Sequence, residues 1–231
     1  MARGGVKHLR KRMAAGKACG MADIILIHGA WHGGWCWTAT ADALRDMGHR
    51  VACPELPDAP DTTLEDCVAA LPAMVRPLVV GHSMGGMVAE AMTAPASALL
   101  HLCSYLPLAG DSLATLDRLL PAQPRRWPRD DLGRLILPPD DARQMIYHDY
   151  PHAPIHALRP QPAGPMRDRL AQRRRITRHY VICENDRAIP PALQRAMIDR
   201  AGVDHIHHRP WGHSPFLSDP TGLARLIDAA T

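Results

Sequence analysis

Residues 77–86 read PLVVGHSMGG, and the fold follows from how these ten are interpreted. PLVV is a short apolar run, suited to a strand covered on both faces. Gly81-His82-Ser83-Met84-Gly85 is a G-x-S-x-G match, followed by a further Gly86 and by a helical pattern that starts at Met84 and ends before Pro95. Glycines on either side of the serine permit a backbone turn too sharp for side chains. Such a turn between strand and helix lifts the Ser83 hydroxyl to the carboxyl end of a sheet, which makes Ser83 a candidate nucleophile.

Outward from this point the same alternation continues in both directions. On the amino-terminal side, DIILI (23–27) reads as a buried strand. A helix over 35–47 follows, with Trp37, Ala41, Leu44 and Met47 at helical spacing and Gly48 as its stop. RVACPEL (50–56) is the next strand, then a Pro/Asp-rich loop to Thr62 and a helix over 63–75. On the carboxyl-terminal side come strand SALLHLCSYL (97–106), strand RHYVIC (178–183), a helix over 191–201, strand DHIHHR (204–209) and a helix over 215–229. The order predicts an α/β fold, a mostly parallel six-stranded sheet with helices on both faces. Residues 107–176 are rich in Pro and Arg and show no clear strand. They read as a small cap insertion over the sheet edge where ligands bind.

At 231 residues and 46% hydrophobic, the chain suits one domain, expected over 21–231. Its formal charge of +4 is concentrated in residues 1–20, which carry six Lys or Arg and no acid; the remainder holds 21 basic residues against 23 acidic ones. That distribution argues against a nucleic-acid partner and marks 1–20 as a disordered basic extension. No stretch approaches the roughly 18 apolar residues of a membrane span, so no membrane partner is expected. The six Cys show no CxxC spacing and read as reduced thiols of a cytoplasmic protein. Nothing in the pattern sets an oligomeric state.

A serine hydroxyl needs a base within hydrogen-bond reach, and the base needs an orienting acid. RPWGH (209–213) puts His213 on the loop after the last strand, at the same sheet end as Ser83. The preceding strand ends in CENDR (183–187), which offers Asp186 and Glu184, with Asp186 the favoured acid. His205, His207 and His208 invite a metal reading, but successive strand positions face opposite ways, so His207 and His208 cannot hold one ion together. No metal and no cofactor are expected. WHGGWCW (31–37) concentrates three of the five Trp. Trp31 and His32, with His82, are candidates for a substrate pocket, whereas Trp35 and Trp37 are expected to anchor the helix against the core.

Together, HGAWHGGWCW (28–37), GHSMGG (81–86), CENDRAIP (183–190) and GHSPF (212–216) resemble the α/β-hydrolase superfamily. Within it they resemble the small serine esterases of the methyl-esterase and hydroxynitrile-lyase branch, including bacterial carboxylesterases, whose RPQP cap segment (159–162) is also similar. The resemblance covers nearly all of residues 22–230. It implies an oxyanion hole made by the backbone amides of Ala30 and Met84, with Ser83, Asp186 and His213 as the catalytic residues. It also implies an acyl-enzyme route on small, largely apolar carboxylic esters. The family's leading antiparallel strands are absent here. Cyanohydrin-cleaving members place a Lys beside the catalytic His, whereas Ser214 follows His213 and no Lys occurs after Lys17, which disfavours that lyase chemistry. A thioesterase, or a ligand-binding receptor with little turnover, are the alternatives on the same fold.

Overall fold

A computed structural model describes residues 20–121 and 126–231. The basic extension expected over 1–20 lies, apart from Gly20, outside the described residues. The strands are β1 (Asp23–Ile27), β2 (Arg50–Ala52), β3 (Leu78–His82), β4 (Ala98–Leu102), β5 (Arg178–Cys183) and β6 (His205–Arg209). They form one sheet in the order β2-β1-β3-β4-β5-β6. Every adjacent pair is parallel, as the strand and helix alternation requires.

The helices are α1 (Thr38–Asp46), α2 (Leu64–Ala69), α3 (Gly85–Ala91), α4 (Leu113–Leu116), α5 (Pro139–Met145), α6 (Gly164–Arg167), α7 (Pro191–Ala201), α8 (Pro215–Ser218) and α9 (Pro220–Asp228). Side chains alternate across each strand, and both faces are buried. Ile24, Leu26, Leu78, Val80, Leu100 and Val181 pack with Trp37 and Leu44 and with Leu223 and Ile227 of α9. Ile25, Ile27, Val79 and Leu99 pack against α2 and α3 on the other face, where Tyr180 and Ile182 extend the layer beneath α7.

Several elements are shorter than their apolar patterns suggest; the strand expected over 50–56 is confined to Arg50–Ala52, ahead of Pro54. β4 stops at Leu102 because Cys103 turns into the left-handed region, with φ 34°. α2 opens on a Thr63/Asp66 capping box and ends before Pro72, whose ring disfavours helix at the residue ahead of it. The helix expected over 215–229 is broken at Asp219-Pro220. Pro220 has no N–H, and the Asp219 carboxylate starts α9 by accepting the Gly222 N–H at 2.9 Å.

Among the described residues between β4 and β5, α4, α5 and α6 are accompanied by short 3-10 turns at Asp117–Leu119 and Ile155–Ala157 and by isolated bridges, Arg129 to Leu135 and Leu135 to Gln161. Leu137, Ala142, Met145, Ile146 and Tyr147 form a small cluster there, against which Trp31 and Leu217 pack. Among the described residues no helix is long and apolar enough to cross a membrane. The five described cysteines are free thiols.

Candidate active site

Ser83 occupies the turn from β3 to α3 with φ 53°, a conformation that costs a residue with a side chain on the order of 1–3 kcal/mol. Hydrogen bonds over-determine it. Its N–H donates to the Leu102 carbonyl at 3.3 Å, and its carbonyl accepts from the amides of Gly86 and Tyr105, each at 3.1 Å. The flanking glycines are steric requirements: a Cβ on Gly81 would lie 2.6 Å from the Gly85 carbonyl oxygen, and one on Gly85 would lie 2.7 Å from that of Ile27.

His213, on the loop after β6, is 3% exposed, and its Nδ1 lies 2.8 Å from Asp186 Oδ2. Asp186 follows β5. Its Oδ1 accepts the amides of Ala188 at 2.7 Å and Ile189 at 3.0 Å, while Gln194 of α7 reaches Oδ2 at 3.4 Å. A carboxylate in this position accepts a proton bond from Nδ1, which leaves the lone pair on Nε2. Glu184 is instead paired with Arg195 and His208, so the structure brings Asp186 rather than Glu184 to the imidazole. Gln194 was missed from sequence. It is fully buried, with Oε1 on the Cys183 amide and Nε2 on the Ile189 carbonyl, and its only signal is an inward polar position among Leu193, Met197 and Ile198.

Three further histidines surround this pair, each held neutral. Burial pushes His28 down to about 4 and His32 down to about 3. Burial, reinforced by the neighbouring His213 and His32, also pushes His82 well below the ordinary imidazole range. The Leu56 amide donates to His28 Nε2 at 3.1 Å, so the Nδ1–H of His28 donates to the Gly29 carbonyl at 2.9 Å. In the same way the Nδ1–H of His32 donates to the Ala30 carbonyl at 3.1 Å, and Tyr147 O–H donates to its Nε2 at 2.9 Å. The peptides on both sides of Ala30 are thereby pinned. In a trans peptide the Ala30 N–H points opposite to the pinned Gly29 carbonyl. Among the described residues, neither the Ala30 nor the Met84 amide donates a hydrogen bond.

Trp31 and His32 line a narrow cleft with Leu56, Met84, Arg159 and Pro162. His82 does not. It has no exposed surface, donates Nε2–H to the His213 carbonyl at 2.8 Å, and packs against the rings of His213 and Phe216. Its place is a support under His213 rather than the pocket wall anticipated from sequence. His82, Cys103 and His213 offer potential ligand atoms within 4.8 Å of one another. However, His213 Nδ1 is committed to Asp186, while His82 Nε2 and the Cys103 thiol are directed to the His213 carbonyl.

The segment between β4 and β5 grips residues 31 and 32 from above. Trp31 has φ 63°. Its amide donates to Gln161 Oε1 at 3.3 Å, its indole N–H to the Leu135 carbonyl at 3.1 Å, and its carbonyl accepts the Arg159 amide at 2.8 Å. Arg159 also donates to the His32 carbonyl and pairs with Glu55.

A parallel six-stranded sheet with a serine at a left-handed strand-to-helix turn, and an Asp-His pair delivered by the last two strand ends, defines the α/β-hydrolase class. Residues 24–226 match the alpha/beta hydrolase family, and the chain belongs to it. A carbendazim hydrolyzing esterase from Nocardioides sp. (strain SG-4G) is 37% identical over 122 residues, 45% of this chain and 50% of that one, so the match spans half the relative's length. Methylesterase 18 of Arabidopsis thaliana is 26% identical over 264 aligned positions, covering 90% of this chain and 96% of the relative. The crystal structure of a pyrethroid hydrolase from Sphingobium faniae JZ-2 superposes with a TM-score of 0.77 at 25% identity, covering 90% and 96% of the two chains.

Proposed function

We propose that this chain is a cofactor-independent serine esterase acting on small, largely apolar carboxylic esters. Ser83 Oγ attacks the ester carbonyl as His213 Nε2 takes its proton. Asp186 holds the imidazole with Nδ1–H toward itself and stabilises the imidazolium that forms. The tetrahedral oxyanion sits against the amides of Ala30 and Met84, a donor of this kind contributing about 3–4 kcal/mol in other hydrolases. Collapse expels the alkoxide, which receives the proton from His213, and leaves an acyl group on Ser83. Water, deprotonated by His213, then releases the acid.

The observation that carries this reading is the Asp186-His213 pair at 2.8 Å, at the sheet end where Ser83 is held at φ 53°. The esterase names of the relatives support the ester class of substrate. Ser214 beside His213, with no Lys after Lys17, supports hydrolysis over cyanohydrin cleavage. The test is hydrolysis of p-nitrophenyl acetate together with fluorophosphonate labelling. Activity and labelling should both vanish in Ser83→Ala. A parent chain that neither turns over nor labels supports the receptor alternative, and a Ser83→Ala chain as active as the parent removes the assignment.

A further inference from the structure

β6 is one of the two outer strands of the sheet, and its side chains alternate between the two faces. His208 takes one face, where its Nδ1 meets Glu184 Oε1 at 2.7 Å. His205 and His207, two positions apart, share the other, and the register sets His179 of β5 opposite His205. His179 Nδ1 lies 3.3 Å from His207 Nε2. The His179 ring stacks on His205 with centroids 4.4 Å apart, whereas it meets His207 edge to edge, the two rings nearly coplanar at 8° with centroids 5.6 Å apart.

We propose that His179, His205 and His207 form a binding site for one divalent transition-metal cation, with Zn²⁺ the representative ion. Alternation along the strand, which separates His207 from His208, is what places these three together. Two nitrogens bound to one tetrahedral zinc at about 2.0–2.1 Å stand about 3.3–3.4 Å apart; His179 Nδ1 and His207 Nε2, which here share a hydrogen bond at 3.3 Å, are already at that separation, and an ion in place of the shared proton requires both rings to tilt so that their lone pairs meet off the N···N line. His205 is exposed, so its ring can turn toward the shared ion at the cost of its stack on His179, and water completes the coordination. Asp204 adds negative charge near His179, with Oδ2 on the Arg178 amide at 2.8 Å. Arg209 opposes it along the same face, although its guanidinium is turned to the His208 carbonyl and the Trp211 ring. An all-imidazole donor set selects Zn²⁺, Ni²⁺ or Cu²⁺ over Mg²⁺ and Ca²⁺.

The test is calorimetric titration of the full chain with zinc chloride in chelator-free buffer. One ion per chain is expected, with affinity at least tenfold weaker in His179→Gln and in His207→Gln and unchanged in His208→Gln on the opposite face. His205→Gln, at an exposed position, supplies the same reading if a half-buried variant misfolds. With Cu²⁺ in place of Zn²⁺, the electron paramagnetic resonance spectrum should show hyperfine splitting from two or three imidazole nitrogens. Absence of saturable binding, or binding that His179→Gln and His207→Gln leave intact, overturns the proposal.

Discussion

Replacing Glu90 by glutamine should destabilise the fold by about 3 kcal/mol at neutral pH, and by much less in acid. Glu90 lies on α3, the helix that follows the Ser83 turn, and is 2% exposed. Its carboxylate accepts Arg178 Nε–H at 2.7 Å, Arg178 Nη2–H at 2.9 Å and His101 Nε2–H at 3.2 Å. Burial alone would raise its pKa; the hydrogen bonds and charge of Arg178 and His101 overcome that and hold it down at about 2, from an ordinary 4.5. At about 1.4 kcal/mol per unit, that depression contributes roughly 3 kcal/mol. Because the folded-state pKa is lowered, the contribution is complete above pH 4.5 and is lost as pH falls toward 2. At pH 3 less than half remains. An independent route gives a similar figure, since removing one member of a buried ion pair typically costs about 3–5 kcal/mol. Urea denaturation of parent and Glu90→Gln at pH 7 and pH 3 measures both gaps. A gap below about 1 kcal/mol at pH 7, or one of equal size at the two pH values, would refute the reasoning. Adding Arg178→Met to Glu90→Gln should recover part of the loss, because it removes the guanidinium left uncompensated.

Three other outcomes follow from the site. Asp186→Asn keeps the acceptor for the Ala188 and Ile189 amides but offers an N–H to His213 Nδ1, so kcat should fall on the order of 10³–10⁴-fold with KM little changed; steady-state hydrolysis of p-nitrophenyl acetate measures it. Tyr147→Phe removes the donor to His32 Nε2 and loosens the Ala30 peptide. A hydrogen bond worth about 1 kcal/mol predicts roughly a fivefold lower kcat, with thermal unfolding reporting whether the fold is otherwise intact. With burial holding His28 at about 4 and His32 at about 3, neither gains a proton above pH 5, and burial shifts His82 in the same direction. The acid limb of kcat/KM above that pH should therefore fall with unit slope, and a slope of two or more means that a second histidine of the cluster titrates.

Much of the candidate site was legible because its determinants are local. The Ser83 turn is written in Gly81 and Gly85, whose small size the backbone demands within five residues. Asp186 and His213 sit just beyond apolar runs, and a strand end announces itself by the change in composition. The supports were not legible, because their partners are remote: Gln161 reaches Trp31 across 130 positions and Tyr147 reaches His32 across 115. Gln194 looks like any polar helix residue until α7 packs it onto Cys183 and Asp186. His82, the immediate sequence neighbour of Ser83, is turned away from the cleft because its β3 position points beneath His213, a relation set by where β6 ends.

By itself the amino-acid order determined the strand and helix succession, the parallel sheet it entails, and the residue types available at the carboxyl ends of the strands. Short-range sterics and periodic burial decide those, and both act within a few residues. Tertiary structure alone decided which donors meet which acceptors. It set Asp186 rather than Glu184 against His213, it pinned the two peptides around Ala30 with histidines made neutral by burial, and it aligned His179 with His205 and His207. Each of these depends on desolvation or a contact supplied by a segment far along the chain, and neither is encoded in the local pattern of the residue that it acts upon.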